Sequence, residues 1–175
     1  KKLDIKLNIT NNFKINFDEL ESSINQKTSL IIINFPSNPT GGVISKKDLG
    51  ILGSILEKYP NVKILSDEIY SRILYDNTEF TSLLEYPQLK DRLIILDGWS
   101  KTYAMTGWRI GYGVWPKQYS KIAEQLNINS FSCTNTATQF AAIAALQGPQ
   151  ESVDFMISEF DKRRKIMIKH LNEIK

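Results

Sequence analysis

Leu30-Ile31-Ile32-Ile33-Asn34, a turn Phe35-Pro36-Ser37-Asn38-Pro39-Thr40-Gly41-Gly42, a helical stretch from Ser45 to Tyr59, then Val62-Lys63-Ile64-Leu65-Ser66 is the segment that decides the fold. The first run is short, apolar and β-branched, and reads as a fully buried strand. Ser45 has Asp48 three residues on, a capping-box-like helix start. Leu49, Leu52, Leu56 and Tyr59 then recur at helical spacing until Pro60 stops the helix. Strand, helix, strand with short links is a βαβ unit, whose strands run parallel.

Working outward, Leu93-Ile94-Ile95-Leu96 reads as a third buried strand and Arg109–Trp115 as a fourth. After Pro116 the pattern turns helical, over about 117–129, 134–147 and from 150 onward, with Gly148-Pro149 as the clearest break. Residues 1–28 read as a strand or extended stretch followed by a short helix from Asp18 to about Asn25. The expected class is therefore α/β: a mostly parallel sheet with flanking helices.

The composition bounds the chemistry. A chain of 175 residues with 42% hydrophobic content is long enough for one compact domain, which buries about 70% of its unfolded surface. Lys and Arg total 22 against 19 Asp and Glu, too even a balance to argue for nucleic acid. The run Lys162-Arg163-Arg164-Lys165 reads as a solvated helix face. A single cysteine, Cys133, excludes an internal disulfide and suits a reducing compartment, so a cytoplasmic setting is expected. No apolar run approaches the ~20 residues of a membrane span. With His170 as the only histidine, neither a Ser-His-Asp triad nor a multi-histidine metal site can be built within the chain, and no metal site is expected.

The residues left to do chemistry fall in telling places. Ligands of open α/β sheets bind at the carboxyl ends of parallel strands. Asn38 follows the first strand, Asp67 the second and Lys101 the third, so an amide, a carboxylate and an amine reach one edge. Arg109 reaches that edge only if its strand, 109–115, runs antiparallel, which is the expectation. Each residue also has an ordinary role open to it. Asn38 before Pro39 is common turn chemistry, Asp67 can cap a helix, and Tyr70 can be a core aromatic. Lys101 can be solvated, and Arg109 can pair with a nearby carboxylate.

Asn38-Pro39-Thr40-Gly41, Ser66-Asp67-Glu68-Ile69-Tyr70 and Ser100-Lys101-Thr102-Tyr103-Ala104-Met105-Thr106-Gly107-Trp108-Arg109-Ile110-Gly111-Tyr112 stand in this order. Together they resemble the class I/II aminotransferases of fold type I, enzymes that use pyridoxal 5'-phosphate (PLP). The third phrase is the most specific, and its wording is similar to bacterial and archaeal aspartate aminotransferases. The resemblance implies that Lys101 holds PLP as a Schiff base and later moves a proton. It implies that Asp67 pairs with the pyridine nitrogen, that Tyr70 and Asn38 bond the phenolic oxygen, and that Arg109 clamps the phosphate. The family often places Ser or Thr three residues before the lysine; here that position is Gly98, and Ser100 is the substitute phosphate contact.

The resemblance further implies an amino acid and a 2-oxo acid as substrates and a homodimer with its active site at the interface, where Ser130–Thr136 is expected to contribute. Members are about twice as long as this chain. The expectation is a fragment, inactive alone, with 1–148 belonging to the PLP-binding large domain and 149–175 forming a helix toward a small domain. A C–S lyase, a cyclopropane-forming synthase or a decarboxylating relative would use the same cofactor residues, because the cofactor carries the chemistry. A non-catalytic fold-bearing segment is the remaining alternative.

Overall fold

The computed structural model describes residues 2–174. Four strands, β1 (Leu30–Asn34), β2 (Lys63–Asp67), β3 (Leu93–Gly98) and β4 (Gly111–Val114), form one sheet in the order β1-β2-β3-β4. The first three are parallel; β4 runs antiparallel to β3, as the placement of Arg109 required. Among the described residues five α-helices accompany them: α1 (Phe17–Ser23), α2 (Lys46–Glu57), α3 (Ser120–Phe131), α4 (Thr136–Gln147) and α5 (Glu151–Glu173).

The α2 start is as the sequence indicates. Ser45 Oγ accepts from the Asp48 N–H at 3.1 Å and donates to the Asp48 carboxylate at 2.8 Å. Its far end is closed from another element: the buried Arg92 guanidinium donates to the carbonyls of Leu56, Tyr59 and Val62 at 2.6, 2.9 and 3.0 Å. The carbonyls of Leu56 and Tyr59 also accept the backbone N–H groups of Tyr59 and Val62, so the guanidinium ties the helix end and the turn after it into one hydrogen-bonded unit.

The core lies between α2 and one face of the sheet. Leu49, Leu52, Ile55 and Leu56 from the helix meet Ile33, Ile64, Leu93 and Ile95 from the strands, with Leu20, Leu83 and Leu89 closing the sides. Here the structure corrects the reading of β1 as fully buried. Burial alternates along it, and Ile32 is 68% exposed while Ile33 is 7% exposed. Successive side chains point to opposite faces, and at β1 only the α2 side is covered. β3, by contrast, is buried from Leu93 to Ile95.

Other boundaries shift modestly. β2 ends at Asp67, so Asp67 is the strand's last residue rather than the first of its loop. No helix follows it; Asp67 Oδ1 instead accepts from the Ile69 N–H at 3.3 Å, a side-chain turn in place of a helix cap. β4 begins at Gly111, two residues after Arg109. In the basic run of α5, Lys162 and Lys165 pair along their own helix with Glu159 and Asp161. Arg164 turns inward, with two bonds to Asp76 at 2.9 and 2.7 Å and its guanidinium 4.7 Å from the Tyr75 ring centre.

Candidate active site

The strand register brings the site together. Asn34, Asp67 and Leu96 are lateral partners across β1, β2 and β3, so all three parallel strands end at one level. The loops leaving that level carry Asn38, Tyr70, Ser100 and Lys101. Asn34 binds two of these segments: its Oδ1 accepts from the Asn38 N–H at 3.0 Å and its Nδ2 donates to the Asp67 carbonyl at 3.3 Å. Sequence reasoning passed over Asn34; a polar residue closing an apolar strand was the available signal.

Asn38 and Tyr70 meet directly, the amide Nδ2 donating to the phenol oxygen at 3.3 Å. The Lys101 ammonium lies 5.5 Å from the centre of the Tyr70 ring. Among the described residues no carboxylate comes within ion-pairing distance of Lys101. An open cleft of about 460 Å³ runs beside Asn38 and Tyr70, walled by Pro36, Gly41, Tyr75 and Arg164.

The loop from Ser100 to Arg109 is held at its root. Trp99 is buried, and its indole N–H donates to the Ala142 carbonyl of α4 at 3.0 Å. The Trp99 carbonyl accepts from the N–H groups of Tyr103 and Met105 at 3.2 and 3.3 Å. Within the loop Ala104 and Arg109 adopt left-handed backbone, φ 52 and 53. Such conformations are costly without glycine and gather at functional sites. Arg109 is exposed, and its Nη1 donates to the Thr106 carbonyl at 2.8 Å. Neither Arg109 nor the half-buried Ser100 is hydrogen-bonded to Asn38, Asp67 or Tyr70 among the described residues.

Gly98 follows from the sheet itself. It pairs with Gly111 across β3 and β4, and a Cβ added to it would stand 2.8 Å from the Gly111 Cα and 3.0 Å from the Ile110 carbonyl oxygen. No serine or threonine can be accommodated there without moving a strand.

The electrostatics at this edge are negative. Asp97 accepts from the Gly98 N–H at 2.6 Å and from the Tyr112 hydroxyl at 3.3 Å. Burial raises its carboxyl above the usual range and the neighbouring Asp67 charge adds to this, while those two hydrogen bonds oppose it. Glu68 is 5% exposed and points away to the turn at Leu83. Burial pushes its carboxyl up, against hydrogen bonds from Ser82, Ser66 and the Leu83 N–H. No group of three or more His, Cys, Asp or Glu residues suited to a metal occurs among the described residues, and no helix among them is long and apolar enough to cross a membrane.

This donor set suits an aldehyde-bearing, phosphorylated pyridine. It offers an amine free of ion pairing, a carboxylate at the end of a strand, a phenol whose oxygen already accepts from an amide, and a guanidinium on the adjoining loop.

Comparison with known proteins gives the family. The aspartate/prephenate aminotransferase of Nitrosomonas europaea is 41% identical over 175 residues, 99% of this chain and 44% of that protein. A probable aspartate/prephenate aminotransferase of Rickettsia prowazekii is 42% identical over 171 residues, 97% of this chain and 43% of that protein. The crystal structure of an aromatic aminotransferase from Pyrococcus horikoshii OT3 superposes with a TM-score of 0.93 at 34% identity, over 98% of this chain and 46% of that one. The chain thus spans under half the length of the relatives it matches. The family model for aminotransferase class I and II matches residues 3–175, and the chain belongs to that family.

Proposed function

We propose that this chain carries the cofactor-binding core of an aminotransferase, with PLP joined to Lys101. The observation that supports this best is the meeting of Asn38, Tyr70 and Lys101 at the carboxyl edge of the parallel strands. PLP, when bound, supplies an electron sink for the electrons left at a substrate's Cα, which no side chain provides.

The protein's residues would do the rest. Lys101 would be the residue that holds the cofactor covalently, and its amine would serve as the base that carries the proton taken from the substrate Cα. Asp67 would pair with the ring nitrogen, where an adjacent carboxylate favours the protonated form. Because the Tyr70 oxygen already accepts from Asn38, its own proton is available to the ring's phenolic oxygen. The Arg109 fork suits a phosphate, with the Ser100 hydroxyl as a second contact. Residues 1–148 would then be part of the large domain, and 149–175 the start of the helix toward a small one.

The relatives' names suggest aspartate as the first amino donor to try and prephenate as the first 2-oxo acceptor. The whole protein is proposed to act as a cytoplasmic homodimer. Borohydride reduction in the presence of PLP, followed by peptide mass mapping, tests the assignment. The label should sit on Lys101 and vanish in Lys101→Ala. A label on another lysine would overturn it. Turnover that depends on a 2-oxo acid would then separate transamination from lyase or synthase chemistry.

A further inference from the structure

Gln150 sits directly before α5, just after the Gly148-Pro149 break. Its half-buried side chain makes four hydrogen bonds. Oε1 accepts from Arg72 Nη1 at 2.6 Å and from the Tyr103 hydroxyl at 3.2 Å. Nε2 donates to the carbonyls of Ala145 and Gly148 at 3.0 and 2.8 Å. A primary amide has two donor hydrogens and two acceptor lone pairs, so the group is saturated. The pattern also fixes its orientation, since a flipped amide would set its NH2 against two donors.

The partners on the oxygen belong to the two loops that matter. Arg72 is two residues beyond Tyr70, and Tyr103 is two residues beyond Lys101. Arg72 also extends its Nη2 to Asp154 in the first turn of α5, at 3.5 Å. One oxygen atom therefore joins the loop leaving β2 to the loop leaving β3. The nitrogen of the same amide anchors both to the end of α4.

We propose that Gln150 is a positioning residue that sets the separation of Tyr70 and Lys101 by holding Arg72 and Tyr103 on a single acceptor. Its consequence for PLP rests on the function proposed above; the coupling of the two loops does not. A residue that merely closed the α4 terminus would act through Nε2 alone, and its loss would leave both loops unchanged.

The test is amide hydrogen exchange on the full chain, comparing Gln150→Leu, Gln150→Glu, Arg72→Met and Tyr103→Phe. Gln150→Leu should speed exchange about tenfold in both 69–75 and 99–106, in keeping with the loss of hydrogen bonds to each. Arg72→Met should loosen mainly the first segment and Tyr103→Phe mainly the second. Gln150→Glu keeps an acceptor for both donors but sets its second oxygen against the carbonyls of Ala145 and Gly148, so it should restore both segments relative to Gln150→Leu while loosening 144–149. The PLP concentration needed for half-maximal borohydride trapping should rise several-fold in Gln150→Leu and return in Gln150→Glu. Faster exchange confined to 144–154, or failure of Gln150→Glu to restore the loops, would overturn the proposal. If wild type traps no PLP on Lys101, the cofactor reading falls, and exchange in the two loops still decides the role of Gln150.

Discussion

The side-chain amide of Asn38 donates to the hydroxyl of Tyr70 across 3.3 Å, joining two loops 32 residues apart in the chain. The bond gives Tyr70 a direction as well as a place. With its oxygen accepting from Asn38, the phenol keeps its own proton to donate, and the Lys101 nitrogen lies 5.5 Å from the centre of the same ring.

Removing either partner should therefore weaken the same function. Tyr70→Phe and Asn38→Ala are each expected to raise the PLP concentration for half-maximal trapping on Lys101 by about 5- to 30-fold, equivalent to one or two ordinary hydrogen bonds. The double variant should cost less than the sum, because the two residues share one contact. Strict additivity in a titration of the four proteins would mean that the 3.3 Å bond has no bearing on binding.

The α2 stripe and the three parallel strands were legible because each rests on a local pattern: Leu49, Leu52 and Leu56 at helical spacing, and three apolar runs, the first two joined through α2 by short links. The exposure of Ile32 was not, because a β-branched run looks the same whether one or both faces are covered. Leu52→Ala should accordingly cost about 2–5 kcal/mol of unfolding free energy, since Leu52 is fully enclosed. Ile32→Thr should fall within about 0.5 kcal/mol of wild type, as an exposed position that keeps its β-branching. Urea denaturation of both variants checks the contrast.

At the site, Asn38, Asp67, Tyr70 and Lys101 were legible through the phrases that hold them and the rule that strand ends meet. Asn34, Glu68 and Gln150 were not. Asn34 had only the faint mark of a polar residue closing an apolar strand, Glu68 points away to the turn at Leu83, and the partners of the Gln150 oxygen are distant in the chain. Arg109 was placed by direction alone, and its left-handed backbone could only be seen in three dimensions.

Gly98 has a steric reason that the sequence could not supply. The glycine faces Gly111 so closely that a Cβ would meet its Cα at 2.8 Å. Gly98→Ser is therefore expected to destabilise the chain by about 1–3 kcal/mol instead of adding a phosphate contact. The urea midpoint should fall by roughly 1 M. A stable Gly98→Ser variant with tighter PLP binding would show that β3 and β4 can separate at little cost.

Glu68 makes stability depend on pH. Its carboxyl is buried, and burial raises its folded-state pKa above the ordinary value of 4.5. Below 4.5 the acid is protonated in folded and unfolded chains alike, and its contribution is fully present. As pH rises past 4.5 the unfolded chain releases this proton first, so that contribution is lost progressively until the folded group also ionises. Glu68→Gln cannot ionise, yet its amide oxygen can still accept from Ser66 and the Leu83 N–H. The variant should compare least well with wild type at pH 4 and gain relative stability toward neutrality, by at most about 1.4 kcal/mol per pH unit for a single proton. Urea midpoints for the pair, measured from pH 4 to 8, decide the matter. A difference that stays flat across that range would mean that Glu68 titrates alike in both states, so that its hydrogen bonds offset its burial completely.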